Sequence, residues 1–138
     1  MPENTIRIEI AVPDRQVLDA EALSVQLPLT TGYLGVLPGH APMLGAVGTG
    51  ELTYCDPGGV ERHLALDGGA VEILPDRVRI LASRAERDED IDLDRARKAL
   101  ERADHRLQLG SLEIDVDRAQ KALARARARI AAAHTASS

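Results

Sequence analysis

The stretch that decides the fold is residues 78–96, VRILASRAERDEDIDLDRA, because the spacing of apolar residues changes within it. Before Glu86, apolar and polar residues alternate with a period of two, as in a strand with one buried face. From Asp88 onward, apolar residues recur three and four positions apart, as along one face of a helix. The sequence therefore predicts two domains of different secondary structure, residues 1–87 and residues 88–138.

The first domain is predicted to be all-β. Isoleucine and valine alternate with other residues through Ile6–Val12, and similar short runs follow as far as Ala82. Turn sequences separate these runs at intervals of about 8–12 residues, a spacing that suggests a sandwich or barrel. We interpret three glycine-containing segments as turns: residues 45–50 (GAVGTG), 56–59 (DPGG) and 67–69 (DGG).

The second domain is predicted to be an antiparallel helical hairpin. Each helix carries an apolar stripe, composed of Leu93, Ala96, Leu100, Ala103 and Leu107 in the first helix and Leu112, Val116, Ala119, Leu123, Ala126, Ile130 and Ala133 in the second. Gly110 is expected to end the first helix, and Ser111 to begin the next segment. Because alanine buries little apolar area, we expect a hairpin that is marginally stable alone and can leave one docking place for another.

Composition limits the classes of partner. The chain has 17 basic and 22 acidic residues, a net charge of -5, no Trp, no Phe and two Tyr. Proteins that bind nucleic acid usually carry the opposite charge and aromatic side chains for base stacking, so we expect no nucleic-acid partner. The single cysteine, Cys55, fits a reducing compartment. The apolar runs are far shorter than the roughly 20 residues that cross a bilayer, so any work at a membrane is expected from the aqueous side.

Motifs typical of catalytic and metal sites do not occur in the sequence. The histidines, His40, His63, His105 and His134, include no pair at the spacing of a local metal site. Cys55 has no local histidine partner, so we interpret it as a structural thiol rather than a nucleophile. The glycine-rich segments lack the Gly-Lys-Ser/Thr ending of a phosphate-binding loop. We therefore predict that the chain is not an enzyme, with no catalytic residues and no bound metal.

The most specific segment is residues 35–44, GVLPGHAPML. Its two prolines fix φ and its two glycines free it, which predicts a rigid loop of defined shape between strands. The segment resembles the Gly-x-x-Pro-Gly-His-Ala-Pro-Leu segment of the epsilon subunit of bacterial and chloroplast F-type ATP synthases. The resemblance covers essentially the whole chain, since the Leu66–Gly69 turn, the β domain and the helical hairpin also agree with that family.

This resemblance implies a non-catalytic subunit of the ATP synthase rotor. In that family a ten-stranded β sandwich packs on the γ subunit and sits on the ring of c subunits, where it helps couple proton flow to ATP formation on the catalytic α/β subunits. The resemblance places a contact loop for γ and the c-ring at Leu37, Pro38, Gly39, His40, Ala41 and Pro42. For His40, satisfying backbone groups inside the loop is an equally good interpretation. The implied location is the cytoplasmic face of a bacterial inner membrane rather than a thylakoid, with membrane contact only through the complex.

A second resemblance lies in the hairpin, where residues 91–96, IDLDRA, are similar to the Ile/Leu-Asp-x-x-Arg-Ala motif with which some bacterial epsilon subunits bind ATP. It implies an ATP site made of Ile91, Asp92, Arg95, Ala96, Arg102, Arg125 and Arg129. Arginine forks suit phosphate oxygens, whereas the carboxylate of Asp92 repels them. The resemblance therefore assigns Ile91, Asp92 and Ala96 to the nucleoside and the arginines at 102, 125 and 129 to the phosphates, with Arg95 in either group. The alternative interpretation is a helix cap at Asp92 with Arg95 as its ion-pair partner.

These implications give a regulatory hypothesis. No cofactor is required, and ATP is a regulatory ligand that holds the hairpin against the β domain. When the hairpin extends along γ, its basic second helix reaches the acidic surface of the catalytic subunits and blocks ATP hydrolysis. An alternative from another class is a stand-alone β-sandwich ligand-binding module, in which the narrow helical stripes form a dimerisation arm.

Overall fold

Seven strands and then two α-helices follow one another in the computed structural model, which describes residues 4–109 and 116–137, with side chains as far as residue 133. The strands are β1 (Ile6–Val12), β2 (Arg15–Ala22), β3 (Ser24–Leu29), β4 (Gly32–Val36), β5 (Met43–Cys55), β6 (Glu61–Leu74) and β7 (Arg77–Arg87). A 3-10 turn at Asp88–Asp90 leads to α1 (Leu93–Leu109) and α2 (Val116–Ser137). The predicted fold class, a β domain followed by two helices, is confirmed.

All seven strands form one sheet in the order β2-β1-β7-β6-β5-β3-β4. Neighbouring strands are antiparallel except β1 and β7, which are parallel. One apolar core receives side chains from every strand, and Ile6, Ile8 and Ile10 of β1 are completely buried in it. A single sheet that encloses a single core must fold over onto itself, which gives the two packed layers of a sandwich.

The long strands β5, β6 and β7 pass from one layer to the other. The core residues of β6 lie at even positions up to Leu66 and at odd positions from Val71, and those of β7 change in the same way between Ala82 and Ala85. In β5 the change falls beside Gly48. Because successive side chains point to opposite faces of a strand, these changes mark one line across the sheet where all three strands bend.

The family resemblance implies about ten strands, whereas the described residues form seven, because each bent strand is continuous through both layers. Residues 67–69 and 45–50, predicted as turns, lie within β6 and β5. Gly69 has φ +124°, and an added Cβ would overlap the carbonyl oxygen of Leu81. At Gly48 an added Cβ would lie 2.9 Å from the carbonyl oxygen of Leu29. Glycine here permits a bend and a close backbone approach, and not a reversal of the chain.

The turn predicted at residues 56–59 is present between β5 and β6. The Asp56 carboxylate accepts hydrogen bonds from the amides of Gly58 at 2.9 Å and Val60 at 3.0 Å. Gly59 takes a positive φ of 86°. The aspartate and the glycine therefore shape this hairpin as the sequence predicts.

The two helices pack together through the predicted stripes. Four of the five stripe alanines, Ala96, Ala103, Ala119 and Ala126, are buried, whereas Ala133 and the described leucines are half-buried and Val116 is exposed. Small residues in the centre of a seam let two helices approach closely, but they bury little apolar area. The predicted helix boundary at Gly110 and Ser111, and the stripe residue Leu112, lie outside the described residues.

The hairpin rests on the outer face of the sheet through α2. Ala128 and Ala132 of α2 pack against Ala65 of β6, and the partly buried Ile91 completes this small cluster. At about 0.8 kcal/mol per buried methyl-sized group, three alanine side chains contribute on the order of 2 kcal/mol. The apolar contact between the hairpin and the sheet is therefore narrow.

Candidate functional site

A cleft of about 340 Å³ lies between the hairpin and the sheet, next to the alanine contact. It is lined by six arginines, Arg84 from β7, Arg95, Arg102 and Arg106 from α1, and Arg125 and Arg129 from α2. Two carboxylates, Asp67 of β6 and Glu86 of β7, line it as well, and small apolar side chains fill most of the remaining wall. Cationic side chains from three elements thus surround one space.

Helical spacing brings the arginines together within each helix. Arg102 lies two turns after Arg95 and one turn before Arg106, so all three lie on one side of α1. Arg125 and Arg129 are one turn apart on α2. On the sheet, Arg84 is directly opposite Asp67 in the β6–β7 ladder, whose outer face lies under the hairpin.

Two of the arginines join the hairpin to the sheet. The Nε of Arg129 lies 2.6 Å from Oε1 of Glu86, and its Nη2 donates a 3.4 Å hydrogen bond to Oε2. The Nε of Arg125 is 3.9 Å from Oδ2 of Asp67. Both arginines are less than one-third exposed, so water screens these pairs less than it screens a surface ion pair.

The cleft retains an excess of positive charge. Across the described ranges, ion pairs involve Arg125 and Arg129 but not the other four arginines that line the cleft. Convergent cations beside low-dielectric walls concentrate the field, so this cleft attracts anions with several negative charges. Planar guanidinium groups match phosphate oxygens particularly well.

The cleft wall contains the residues that the resemblance assigns to phosphates. It does not contain the residues assigned to the nucleoside alone. The cleft is lined by Arg95, Arg102, Arg125 and Arg129, whereas Ile91, Asp92 and Ala96 are not part of its wall. Ile91 packs in the alanine cluster, and Ala96 is completely buried in the helix seam. Asp92 Oδ1 accepts a 3.0 Å hydrogen bond from the amide of Arg95, which is the geometry of a helix cap.

Four charged residues of the cleft were not singled out as site residues from the sequence: Asp67, Arg84, Glu86 and Arg106. Arg106 follows Arg102 by four positions, so helical spacing alone could have added it to the set. The other three come from the sheet. No local pattern connects them to the helices, because they approach only where α2 docks.

The loop between β4 and β5 is exposed and attached to the end of the sheet. The amide of Gly39 donates a 2.7 Å hydrogen bond to the Pro75 carbonyl, and the amide of His40 donates one of 3.1 Å to the Leu37 carbonyl. His40 Nδ1 lies 2.7 Å from the Ala41 carbonyl oxygen, so this ring nitrogen has a partner within the loop. Ala41 and Pro42 are exposed, and Gly39 has φ +87°.

Large apolar side chains are exposed beside this loop and on the adjoining outer face of the sheet. Leu37 is 63% exposed and Leu44 is 78% exposed, on the loop and at the start of β5. Leu81 of β7 is 60% exposed and lines the same shallow cavity as Leu44. Leu44 and Leu81 thus form a small exposed apolar patch, which is typical of a surface that contacts another protein, whereas Leu37 lines a different cavity beside Cys55.

The histidines form no metal site among the residues that the structure describes. Among the histidines whose burial is described, His63 is the buried one, and its Nδ1 lies 2.7 Å from Oε1 of Glu51 on the hairpin side of the sheet. Neither α1 nor α2, as far as each is described, is long and apolar enough to cross a membrane.

Comparison with known proteins gives the family. The model of the ATP synthase delta/epsilon chain β-sandwich domain matches residues 5–88, and the model of its long α-helix domain matches residues 89–134. The chain belongs to the ATP synthase epsilon chain family. An epsilon chain from Solibacter usitatus is 52% identical over 103 residues, which are 75% of each chain. One from Syntrophomonas wolfei is 39% identical over 133 residues, 96% of this chain and 97% of that one.

The fold of this epsilon chain is also found in a solved structure. A chain of the Euglena gracilis mitochondrial ATP synthase superimposes with a TM-score of 0.79 and 24% identity, over 93% of this chain and 81% of that chain. The predicted family is thus confirmed, and the chain is a subunit of the F-type ATP synthase, a membrane-associated complex. Family membership replaces the alternative of a stand-alone binding module, and the helical stripes pair within the hairpin.

Proposed function

We propose that this epsilon chain is a non-catalytic part of the central stalk, at the cytoplasmic face of a bacterial inner membrane. The β sandwich contacts the γ subunit and the c-ring, and it helps couple proton translocation to ATP synthesis on the α/β subunits. A sandwich with a close-packed core suits this task, because a part that transmits torque must not deform. The exposed Leu37, Leu44 and Leu81 beside the β4–β5 loop support contact through this surface.

The contact surface is tested by placing a charge within it. Leu37→Asp and Leu44→Asp are expected to weaken co-purification of the chain with γ, since each places a carboxylate in a contact that must exclude water. Leu109→Asp is the matched control, because Leu109 is 60% exposed at the end of α1, in the hairpin and not in the sandwich. Equal retention of γ by all three variants would assign γ binding to another face.

We further propose that the hairpin regulates ATP hydrolysis by moving between two positions. The observation that carries this proposal is the narrow apolar contact between α2 and the sheet, in which three alanines and Ile91 are accompanied by two ion pairs. A few kcal/mol of docking free energy permits a second position to be populated when other surfaces compete for the helix.

The positive charge of α2 explains why the second position inhibits. Undocking releases Arg125 and Arg129 from the sheet, and they join Arg127 and Lys121 as cations available to an acidic partner. Extended along γ, this helix meets acidic surfaces of the catalytic subunits and blocks rotation in the direction of hydrolysis. Charge complementarity of this kind favours rapid and specific engagement.

ATP, acting as a regulatory ligand, favours the docked position. An anion in the arginine cleft touches α1, α2 and β7 together, and that combination exists only when the hairpin is docked. A ligand shifts an equilibrium by its differential affinity for the two states, so bound ATP retains the hairpin on the sheet.

Two experiments test the regulatory proposal. Deletion of residues 88–138 should raise ATP hydrolysis by the assembled enzyme and leave ATP synthesis intact, and unchanged hydrolysis would remove the inhibitory role. Titration of the whole chain with ATP should show weaker binding in Arg125→Ala and Arg129→Ala than in Arg127→Ala, whose side chain is exposed and outside the cleft. The absence of binding at millimolar ATP would leave only the coupling role.

A further inference from the structure

Another cavity, of about 460 Å³, opens at the end of the sandwich where the chain continues into the hairpin, and we call it the end cavity. Its floor is apolar and is formed by Leu18 and Ala20 of β2 and Leu64 of β6, which pack in or against the main core. The 3-10 turn forms part of its wall through Asp88 and Glu89. Among the described residues, this wall shares none with the arginine cleft.

Tyr54 of β5 presents an unused phenol to the end cavity. The residue belongs to the core cluster, is 8% exposed and lines the cavity. Within the described ranges its phenol makes no hydrogen bond, whereas buried polar groups usually have a partner. Burial raises the pKa of the Tyr54 phenol, so the group is neutral and its oxygen is free to accept a hydrogen bond as well as to donate one.

Two ion pairs lie at the edge of the end cavity. The Nε of Arg62 is 3.8 Å from Oδ2 of Asp56, and Nη2 of Arg87 is 2.7 Å from Oε1 of Glu89. All four residues line the cavity. Each arginine of the described wall thus has a carboxylate beside it, and little positive charge remains to attract an anion.

Asp88 supplies the charge that is not compensated. Its Oδ1 accepts a 2.7 Å hydrogen bond from the amide of Glu89, and no ion pair of the described residues includes it. The Asp88 charge also contributes to the raised pKa of Tyr54, which shows that the two groups are near each other. The remaining carboxylate of the wall, Glu21, lies opposite Arg7 on the outer face of the β1–β2 ladder and points away. The end cavity therefore combines one excess negative charge with a neutral phenol.

We propose that the end cavity binds a small organic amine, with its ammonium group between the Tyr54 phenol oxygen and the Asp88 carboxylate and its apolar body on the floor. An ammonium group has three donors and no acceptor, so it can satisfy both oxygens at once. The volume falls within the range of about 300–1,000 Å³ that is usual for small-molecule sites. The inference is independent of the proposed function, because neither the contact leucines nor the arginine cleft belongs to this site.

The site also touches both domains. Tyr54 belongs to the sandwich, whereas Asp88 belongs to the turn that leads to α1. A bound amine should therefore reduce the hydrogen exchange of the amides at Asp88–Asp90, because it holds the turn against the end of the sandwich.

Titration of the full chain with 2-phenylethylamine, followed by two-dimensional NMR, tests the site. The amide signals of Tyr54, Leu64 and Asp88 should shift and saturate with a dissociation constant on the order of 1 mM or lower. 2-Phenylethanol has nearly the same shape without the charge, and it should bind at least about tenfold more weakly because it makes no charge-assisted hydrogen bond. The absence of saturable shifts at these amides would overturn the site. Equal binding of the amine and the alcohol would overturn the ligand class.

Single variants test the position of the ammonium group. Asp88→Asn should weaken 2-phenylethylamine by about tenfold and remove its advantage over the alcohol. Tyr54→Phe retains the ring and should weaken the amine by about threefold or more, as expected for the loss of one hydrogen bond. Circular dichroism verifies that each variant is folded.

Asp90→Asn is the matched control, because Asp90 belongs to the same 3-10 turn but does not line the end cavity. It removes the same formal charge and should leave the affinity for the amine unchanged. Equal weakening by Asp90→Asn and Asp88→Asn would mean that binding follows net charge, and unchanged affinity in both Asp88→Asn and Tyr54→Phe would place the amine elsewhere. Either result would overturn the proposal.

Discussion

Gly69 is the residue at which β6 is most constrained. Its φ of +124° is in the region that favours glycine, and an added Cβ would overlap the Leu81 carbonyl oxygen of the neighbouring strand. We expect Gly69→Ala to lower the free energy of unfolding by about 2 kcal/mol or more, because backbone strain and displacement of β7 add together. Urea denaturation of the whole chain measures the change.

Gly35 supplies the control for this prediction. An added Cβ at Gly35, in β4, meets no atom within 4 Å and requires no positive φ. Gly35→Ala should therefore change the free energy of unfolding by no more than about 0.5 kcal/mol. Similar losses in the two variants would contradict the conformational role assigned to Gly69.

Asp19 gives the β domain a predictable response to acid. Arg7 Nε and Nη2 donate hydrogen bonds of 2.9 and 2.8 Å to its carboxylate, and these bonds lower the pKa of Asp19 below its ordinary value. Since the folded chain binds this proton less readily than the unfolded chain, the pair stabilises the fold above the unfolded pKa of about 3.9. That contribution is lost as the pH falls through the lower folded pKa.

Substitution of Asp19 isolates this effect. Asp19→Asn should be less stable than the unmodified chain near neutral pH, and the difference should shrink as the pH falls below about 4. Denaturant unfolding at neutral and acid pH provides the comparison. Asp14→Asn, in the adjacent β1–β2 turn, removes the same formal charge from a residue without an ion pair in the described ranges. A difference that is constant with pH for Asp19→Asn would contradict the assignment.

At the scale of elements, α2 has two contacting faces with different chemistry. One face pairs with α1 through Ala119 and Ala126, and the other meets the sheet through Ala128, Ala132 and Arg129. The first is apolar and internal to the hairpin. The second combines a small apolar contact with partly buried ion pairs, so it is more sensitive to charge substitutions and to salt.

Loss of the Arg129–Glu86 pair should loosen docking without unfolding the sandwich. For Arg129→Gln we expect the docking free energy to fall by about 1–2 kcal/mol, because the Glu86 carboxylate is left without its partner in a half-buried position. Hydrogen–deuterium exchange should then become about 5–30 times faster at amides of α2 that docking protects.

The strands provide the internal reference for that measurement. Amides of β5 and β6 should exchange at unchanged rates in Arg129→Gln, since the sandwich core contains no helical residue. Arg127→Gln removes the same type of charge from an exposed position of α2 and should leave the α2 rates unchanged. Faster exchange in both variants would mean that net charge, and not the pair with Glu86, controls docking.

At the scale of the whole molecule, the two domains differ in how much stability each contains. Every residue of the main core lies between Ile6 and Ala85, so the sandwich buries this core without help from the hairpin. The hairpin seam is formed mainly by alanines, and its contact with the sheet is small. Ordering the backbone costs about 1–2 kcal/mol of free energy per residue. The small apolar area that the hairpin buries offsets little of this cost.

Separate expression of the two domains tests this difference. Residues 1–87 alone should unfold cooperatively in urea with a midpoint close to that of the full chain. Residues 88–138 alone should show low helicity by circular dichroism and no cooperative transition. If the hairpin folds independently, it is a rigid arm. The regulatory proposal would then depend only on the ion pairs between α2 and the sheet.

The sequence by itself determined the two classes of secondary structure and the family. Period-two and helical spacing depend on which side of one element faces a core, so they can be read from neighbouring residues. The same reasoning placed Arg95 and Arg102 on one helix face and Arg125 and Arg129 on another. The family was accessible because the order of proline and glycine in residues 35–44 resembles a specific segment of that family.

Only the tertiary structure decided where the sheet bends, which face of α2 docks and which groups complete the cleft. Glycine permits both a turn and a bend, so the segment at 67–69 was wrongly predicted as a turn, and only its pairing with β5 and β7 shows continuity. Alanines lie on several sides of α2, and this pattern does not distinguish the face toward Ala65 from the others. Asp67, Arg84 and Glu86 join the helical arginines because surfaces distant in the sequence fit together, and local periodicity carries no information about that fit.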